Sequence, residues 1–245
     1  MNRISFLLMA VACALTPAIH AQQRAAQTPY KVSRTTDGKP DFQGIWMARN
    51  AAAFDVSEIT EGRTIPYLPQ ALEREAKADR VDPTAHCGMP GVPRITYMPF
   101  PFQIMQRPGY VVFLYEYLHN HRVIQTTPRE HLDGIDLFLG DSVARYEGDT
   151  LVIDVTSLGS RTWLDSARHM HSDQLHVIER YARTGPDTIQ YQATLEDPQT
   201  YSKSWKISMP LHRITEPGFE LREQECLEGD DGRAIHPPYR PAPKS

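Results

Sequence analysis

From Cys87 onward the chain is a succession of short segments in which apolar and polar residues alternate, and this pattern narrows its possible folds more than any other feature. Strand-like runs lie near 103–106, 110–117, 121–126, 143–147, 150–156, 175–183, 188–196, 203–211 and 219–226. Turn signals separate them, among them Arg107-Pro108-Gly109, Glu147-Gly148-Asp149 and Thr184-Gly185-Pro186-Asp187. Many short strands joined by tight turns predict a mainly β fold, an antiparallel meander closing as a barrel or folded as a sandwich.

The stretch before Cys87 reads differently. Residues 22–86 form an irregular N-terminal arm, with Asp37-Gly38-Lys39-Pro40 as a turn before a short apolar piece at 42–47. Residues 68–79 carry the persuasive helix, with Pro69 near its start and Ala, Leu, Glu and Lys throughout. The strand-rich region is expected over 87–235, and 236–245 reads as an extended coil.

The N-terminus predicts export. Residues 1–3 give a basic start, 4–15 an almost unbroken apolar run, and 18–21 small residues, so a cleaved signal peptide ending near Ala21 is expected and the mature protein is periplasmic or secreted. A run of that length falls short of the roughly 20 apolar residues a membrane-spanning helix needs. A lipid anchor through Cys13 is the alternative, disfavoured because Ala10 stands where a leucine is usual. Removing the leader takes away Arg3 and no acidic residue, so the formal charge moves from −4 to −5. With no basic stripe to hold phosphates, nucleic-acid binding is disfavoured. In an oxidising compartment the two remaining cysteines, Cys87 and Cys226, have one intramolecular pairing, and a disulfide follows.

Candidate chemistry concentrates between Trp163 and Arg183, where Asp165, His169, His171, His176, Glu179 and Arg180 lie close together. Because residues two apart on a strand share a face, Glu179 falls in a row with Leu175, Val177 and Tyr181, while His176, Ile178 and Arg180 form the other. By the same count Glu116 shares a row with Tyr110, Val112 and Leu114, and Asp154 with Val152 and Thr156. A carboxylate on an apolar face is either an acid–base group or the buried partner of a cation, here Arg122, Arg145 or Arg180. His169-x-His171 puts two imidazoles on one side of an extended segment, so a metal site of His169, His171 and His176 is the alternative to proton chemistry. His131 lies on a turn within reach of the same mouth. Gly140-Asp141-Ser142 lacks the strand-to-helix context of a serine-hydrolase nucleophile, and no phosphate-binding or dinucleotide-binding glycine loop is present.

Four stretches carry a resemblance: Pro40-Asp41-Phe42-Gln43-Gly44-Ile45-Trp46, Cys87-Gly88-Met89-Pro90-Gly91-Val92-Pro93-Arg94, the run from Gly140 through Arg145 and Glu147 to Asp154, and His171-Ser172 through Leu175, His176 and Glu179 to Arg180. As a set they resemble a group of uncharacterised exported bacterial proteins. The resemblance implies export and a common architecture and assigns no catalytic roles. The chain departs from that group's pattern at Leu137 to Leu139, where a tryptophan before Gly140 is expected.

These readings combine into one expectation, an exported barrel of lipocalin-like general shape whose pocket takes a small, partly apolar and even aromatic molecule. It acts as a lyase or isomerase by acid–base chemistry without a cofactor. His171 and His176 are the expected proton carriers, Glu179 or Glu116 the partner carboxylate, Asp165 the orienting group and Arg180 the electrostatic anchor. A non-catalytic ligand-binding protein and a His-ligated metal enzyme are the alternatives.

Overall fold

The computed structural model describes residues 30–77, 81–224 and 226; the leader at 1–21, Cys13 and the tail at 236–245 lie outside them. Nine strands close into a barrel: β1 (Gly44–Ala48), β2 (Phe102–Arg107), β3 (Tyr110–Tyr115), β4 (His121–Gln125), β5 (Asp141–Glu147), β6 (Thr150–Thr156), β7 (His176–Gly185), β8 (Thr188–Glu196) and β9 (Trp205–Arg213). Alternation builds the wall. In β9 every second residue from Trp205 to Leu211 is buried and the residues between them are exposed, as a strand with one face on a core requires. Gly109 and Gly148, both at positive φ, make the tight reversals between β2 and β3 and between β5 and β6.

Strictly up-and-down chain travel through nine strands would leave the first and last parallel. Instead the crossover 126–140 carries the chain back along the barrel, so β4 and β5 run parallel and β1 meets β9 antiparallel, with Trp46 opposite Arg213. The parallel seam is thin, since Gln125 opposite Val143 is its one paired position.

β1 comes from the segment read as arm, so the barrel spans 44–213. The strand expected at 219–226 is not formed among the described residues there. Cys226 therefore lies beyond the last strand, yet it pairs with Cys87 as expected, with Cα atoms 5.4 Å apart and 139 residues between them in sequence. The expected helix is α1 (Pro69–Lys77), and a second short one, α2 (Arg94–Tyr97), was not legible. No helix among the described residues is long and apolar enough to cross a membrane.

The barrel is filled by its own side chains. Phe102, Phe113, Leu151, Ile153, Val177 and Tyr191 point inward and are fully buried. One end is closed by Trp46, whose indole N–H donates to the Phe42 carbonyl (2.9 Å) and whose ring lies under Arg213 (4.3 Å) and Arg183 (5.2 Å). At the other end, segments 49–77, 81–101, 157–175 and 197–204 form a cap. Tyr67 bridges to Tyr201 and Thr60 to Ile207, and α2 is buried on all four residues, with the Tyr97 hydroxyl donating to the Leu164 carbonyl (2.7 Å).

Candidate functional site

The stretch from Trp163 to Arg183 is divided by the fold among three environments. Its first part lies in the cap, its odd-numbered strand residues enter the barrel interior, and its even-numbered ones stand on the outer wall.

In the cap, Trp163 bridges Met170 and the Leu164 N–H donates to the His169 carbonyl (2.7 Å), so residues 164–169 form a tight reversal. Arg168 takes the left-handed conformation that this reversal needs, at φ 75°. The reversal folds Asp165 onto His169. Asp165 is fully buried and accepts from the Val56 N–H (2.6 Å), the His169 N–H (3.0 Å) and His169 Nδ1 (2.5 Å). A carboxylate only accepts here, so Nδ1 carries the proton and Nε2 is the free edge of the ring. The His169 side chain is 24% exposed, and no described residue hydrogen-bonds Nε2. Burial depresses the His169 pKa, but the hydrogen bond and charge of Asp165, with the charge of Asp55, outweigh it and move the pKa up. The Tyr67 ring stacks beside it, 6.2 Å between centroids.

A buried ion pair braces this loop from behind. Arg94, 2% exposed, donates to both oxygens of Asp82 (2.8 and 2.7 Å) and to Ser166 Oγ (2.9 Å), next in sequence to Asp165. Burial raises the Asp82 pKa, and the hydrogen bond and charge of Arg94 more than reverse this.

His171 does not join the dyad. It is buried, its Nδ1 donates to the Ser172 carbonyl (2.7 Å) and its Nε2 accepts from the Thr162 hydroxyl (2.8 Å), so both nitrogens are occupied and burial pushes its pKa down. The adjacent Ser172 is held through both its N–H (2.6 Å) and its hydroxyl (2.8 Å) by Asp197.

Inside the barrel, Glu179 is fully buried and accepts from Arg122 Nη2 (2.7 Å) and from the Tyr181 and Tyr191 hydroxyls (3.0 Å each). Arg122 also donates to Ser142 Oγ (2.9 Å), which makes that serine a structural partner. Burial opposes the Arg122 charge, and the nearby Glu179 carboxylate overcomes it and raises the guanidinium pKa. Burial lifts the Tyr115 hydroxyl to about 12. Arg122 Nε and Nη1, Tyr115 Oη and Thr96 Oγ1 are buried without hydrogen-bond partners among the described residues.

The remaining candidates are elsewhere. Glu116 follows the end of β3, whose buried row is Val111, Phe113 and Tyr115, and accepts from the Arg222 N–H (2.8 Å). The expected row of Tyr110, Val112 and Leu114 faces outward, so the reading of Glu116 as a carboxylate on the core face is corrected. Arg180 stands on the outer wall and pairs with Glu147 (2.8 Å). His176 is also outside, donating through Nε2 to Asp154 (2.8 Å). His169, His171 and His176 thus do not converge as metal ligands, being in the cap, in its buried floor and on the outer wall. The described group with ligand atoms within 4.8 Å of one another is Asp55, Asp165 and His169. The signal that was available for the dyad is the spacing Asp165-x-x-x-His169 inside a reversal, which strand parity cannot reveal.

No family model matches the chain, and no curated protein matches it. Among solved structures, a mutant of the fluorescent protein UnaG is similar at 12% identity over 71% of this chain and 97% of that one, with a TM-score of 0.36. A likeness this loose carries no argument about function.

Proposed function

We propose that the protein is an exported enzyme, a lyase or isomerase, that moves a proton on a small, partly apolar molecule without a cofactor. His169 is the proton carrier and Asp165 the group that orients it. One observation carries the reading: a partly exposed imidazole tied through Nδ1 to a fully buried carboxylate, with Nε2 unpaired among the described residues. In this arrangement Nε2 takes a proton and the imidazolium that forms is held by Asp165. The raised pKa of His169 supports this, and the exposed Phe54 and the Tyr67 ring supply apolar surface nearby. The barrel acts as the scaffold that fixes the cap.

A second reading, a non-catalytic binding protein, takes the same partly exposed edge of His169 beside the Tyr67 ring as a contact surface without turnover. The test begins with His169→Gln and Asp165→Asn, screened with wild type against aromatic, terpenoid-like and sugar-derived compounds. Turnover should fall about 10²–10⁴-fold in His169→Gln, the usual share of general acid–base catalysis. In Asp165→Asn the imidazole titration, followed by NMR, should move to lower pH together with the pH–rate profile. Unchanged turnover in a folded His169→Gln protein would sink the assignment. Binding without product favours the second reading, and a stoichiometric metal lost in His169→Gln would replace proton transfer by metal chemistry at Asp55, Asp165 and His169.

A further inference from the structure

The barrel wall is unevenly charged. On β5, β6, β7 and β8 the outward positions hold Arg145, Glu147, Asp154, Arg180 and Glu196. On β2, β3 and β4 the outward positions are mostly apolar. Antiparallel pairing sets Met105 opposite Val112 and Val112 opposite Val123, so three apolar side chains stand in one row across the sheet. Leu114 and Tyr110 lie two residues to either side of Val112 and share its face. Val123 is 59% and Tyr110 43% exposed, and Met105, Val112 and Leu114 are partly buried.

Polar side chains frame this cross. Leu114 is flanked by Gln103 on β2 and His121 on β4, and Tyr110 by Arg107 and Gln125. Arg107 is therefore the single fixed charge among nine outward positions, three on each strand. A chain that charges the rest of its wall and leaves side chains of this size uncovered here marks the face as a contact surface. Lipid suits it poorly, because a face that lies in a membrane interface is bordered by Lys and Arg, and these positions hold one cation.

The arrangement itself selects the partner. With β3 as midline, a two-fold axis laid along it between two facing walls brings each outward position of β2 over its counterpart on β4 of a second copy. Met105 then meets Val123, Gln103 meets His121 and Arg107 meets Gln125, while Val112, Leu114 and Tyr110 each meet themselves. Apolar groups fall on apolar ones, polar on polar, and no like charges face each other. We propose that the outer wall of β2 to β4 is a homodimer interface, formed with a second copy of this chain about a two-fold axis along β3. Nine positions a side fall short of the roughly 20–30 residues of a standard interface, so the pair is weak and forms at about micromolar concentration and above. His169 and Asp165 lie in the cap, so the interface does not rest on the proton-transfer reading.

Sedimentation velocity on the intact, disulfide-bonded protein tests this. Between about 1 and about 500 μM the weight-average mass of wild type should rise from that of one chain toward that of two. Val123→Glu sets an unpaired carboxylate against Met105 of the second copy, and association should weaken about tenfold for each of the two carboxylates buried. Gln192→Glu, a change of like charge on the outward face of β8, should leave association as in wild type. A short bis-maleimide should couple Val112→Cys chains in pairs and leave Gln192→Cys chains single. A wild-type chain that is monomeric throughout overturns the proposal, and so does a dimer that Val123→Glu leaves as strong as wild type. Should Val123→Glu fold poorly, the coupling decides, since Val112→Cys chains that stay single while wild type self-associates overturn the axis along β3. A monomer that instead floats with phosphatidylglycerol vesicles gives the face to lipid and overturns the pairing as well.

Discussion

Replacing Glu179 by leucine removes the acceptor of three buried donors at once. Arg122 is 3% exposed, so it would stay charged in the barrel with Ser142 Oγ as its hydrogen-bond partner. The Tyr181 and Tyr191 hydroxyls would lose their acceptor too. Breaking a buried pair from one side costs roughly 3–5 kcal/mol, and two stranded hydroxyls bring the total to roughly 4–6 kcal/mol. For a chain of this size that lowers Tm by roughly 10–20 °C. Arg122→Met alone should cost somewhat less, because Glu179 keeps two tyrosine donors. The double variant Arg122→Met/Glu179→Leu buries no uncompensated charge and should lie within about 2 kcal/mol of wild type, since apolar replacement of a buried pair is often neutral. Urea unfolding at pH 7, followed by tryptophan fluorescence with the disulfide intact, measures all four proteins. A double variant as unstable as the sum of its singles would refute the view that the two charges are there for each other. So would a cost below about 1 kcal/mol for Glu179→Leu, which falls well short of any broken buried pair.

Reducing the Cys87–Cys226 bridge should cost roughly 4–5 kcal/mol by loop-closure entropy, read as a lower urea midpoint with reductant. Gly91 sits at φ +76° with Thr162 Oγ1 2.6 Å from where a Cβ would stand, so Gly91→Ala should cost roughly 2–4 kcal/mol and disturb the Thr162–His171 bond. The His176 pKa is raised, first by its hydrogen bond to Asp154, so its contribution is complete below the unfolded value and is lost as pH rises through the folded one. His176→Gln should accordingly cost about 0.5–1 kcal/mol at pH 5.5 and little at pH 9, measured by urea unfolding at each pH; an equal cost at both would show that its charge is not what stabilises.

The sequence by itself determined the local matters. Alternation placed the strands from β2 to β9 to within a few residues, because period two is imposed by the backbone and a half-buried wall needs it. It placed Glu179 in one row with Leu175, Val177 and Tyr181 and named Arg122 among three possible partners. Two cysteines beyond the expected leader left one intramolecular pairing, and the structure bears out that pairing. What parity gives is which residues share a face. It does not give which face is inside, and Glu116 was misjudged for that reason.

Only the tertiary structure decided what meets across distance. β1 stands alone in the irregular arm, far in sequence from the other strands, and it joins the barrel because the parallel step at β4 and β5 leaves an antiparallel place between β9 and β2. Asp165 pairs with His169 rather than with His171 or His176 because the chain reverses at Arg168, a loop conformation set by the Val56 donor and the Arg94–Asp82 brace from segments far away in sequence. His131 shares the Asp154 carboxylate with His176 because the crossover 126–140 lies over β6. Strand periodicity is a property of neighbours along the chain, whereas loop conformation and the choice of charge partners are fixed when the barrel closes and carries the cap and the crossover to where they dock.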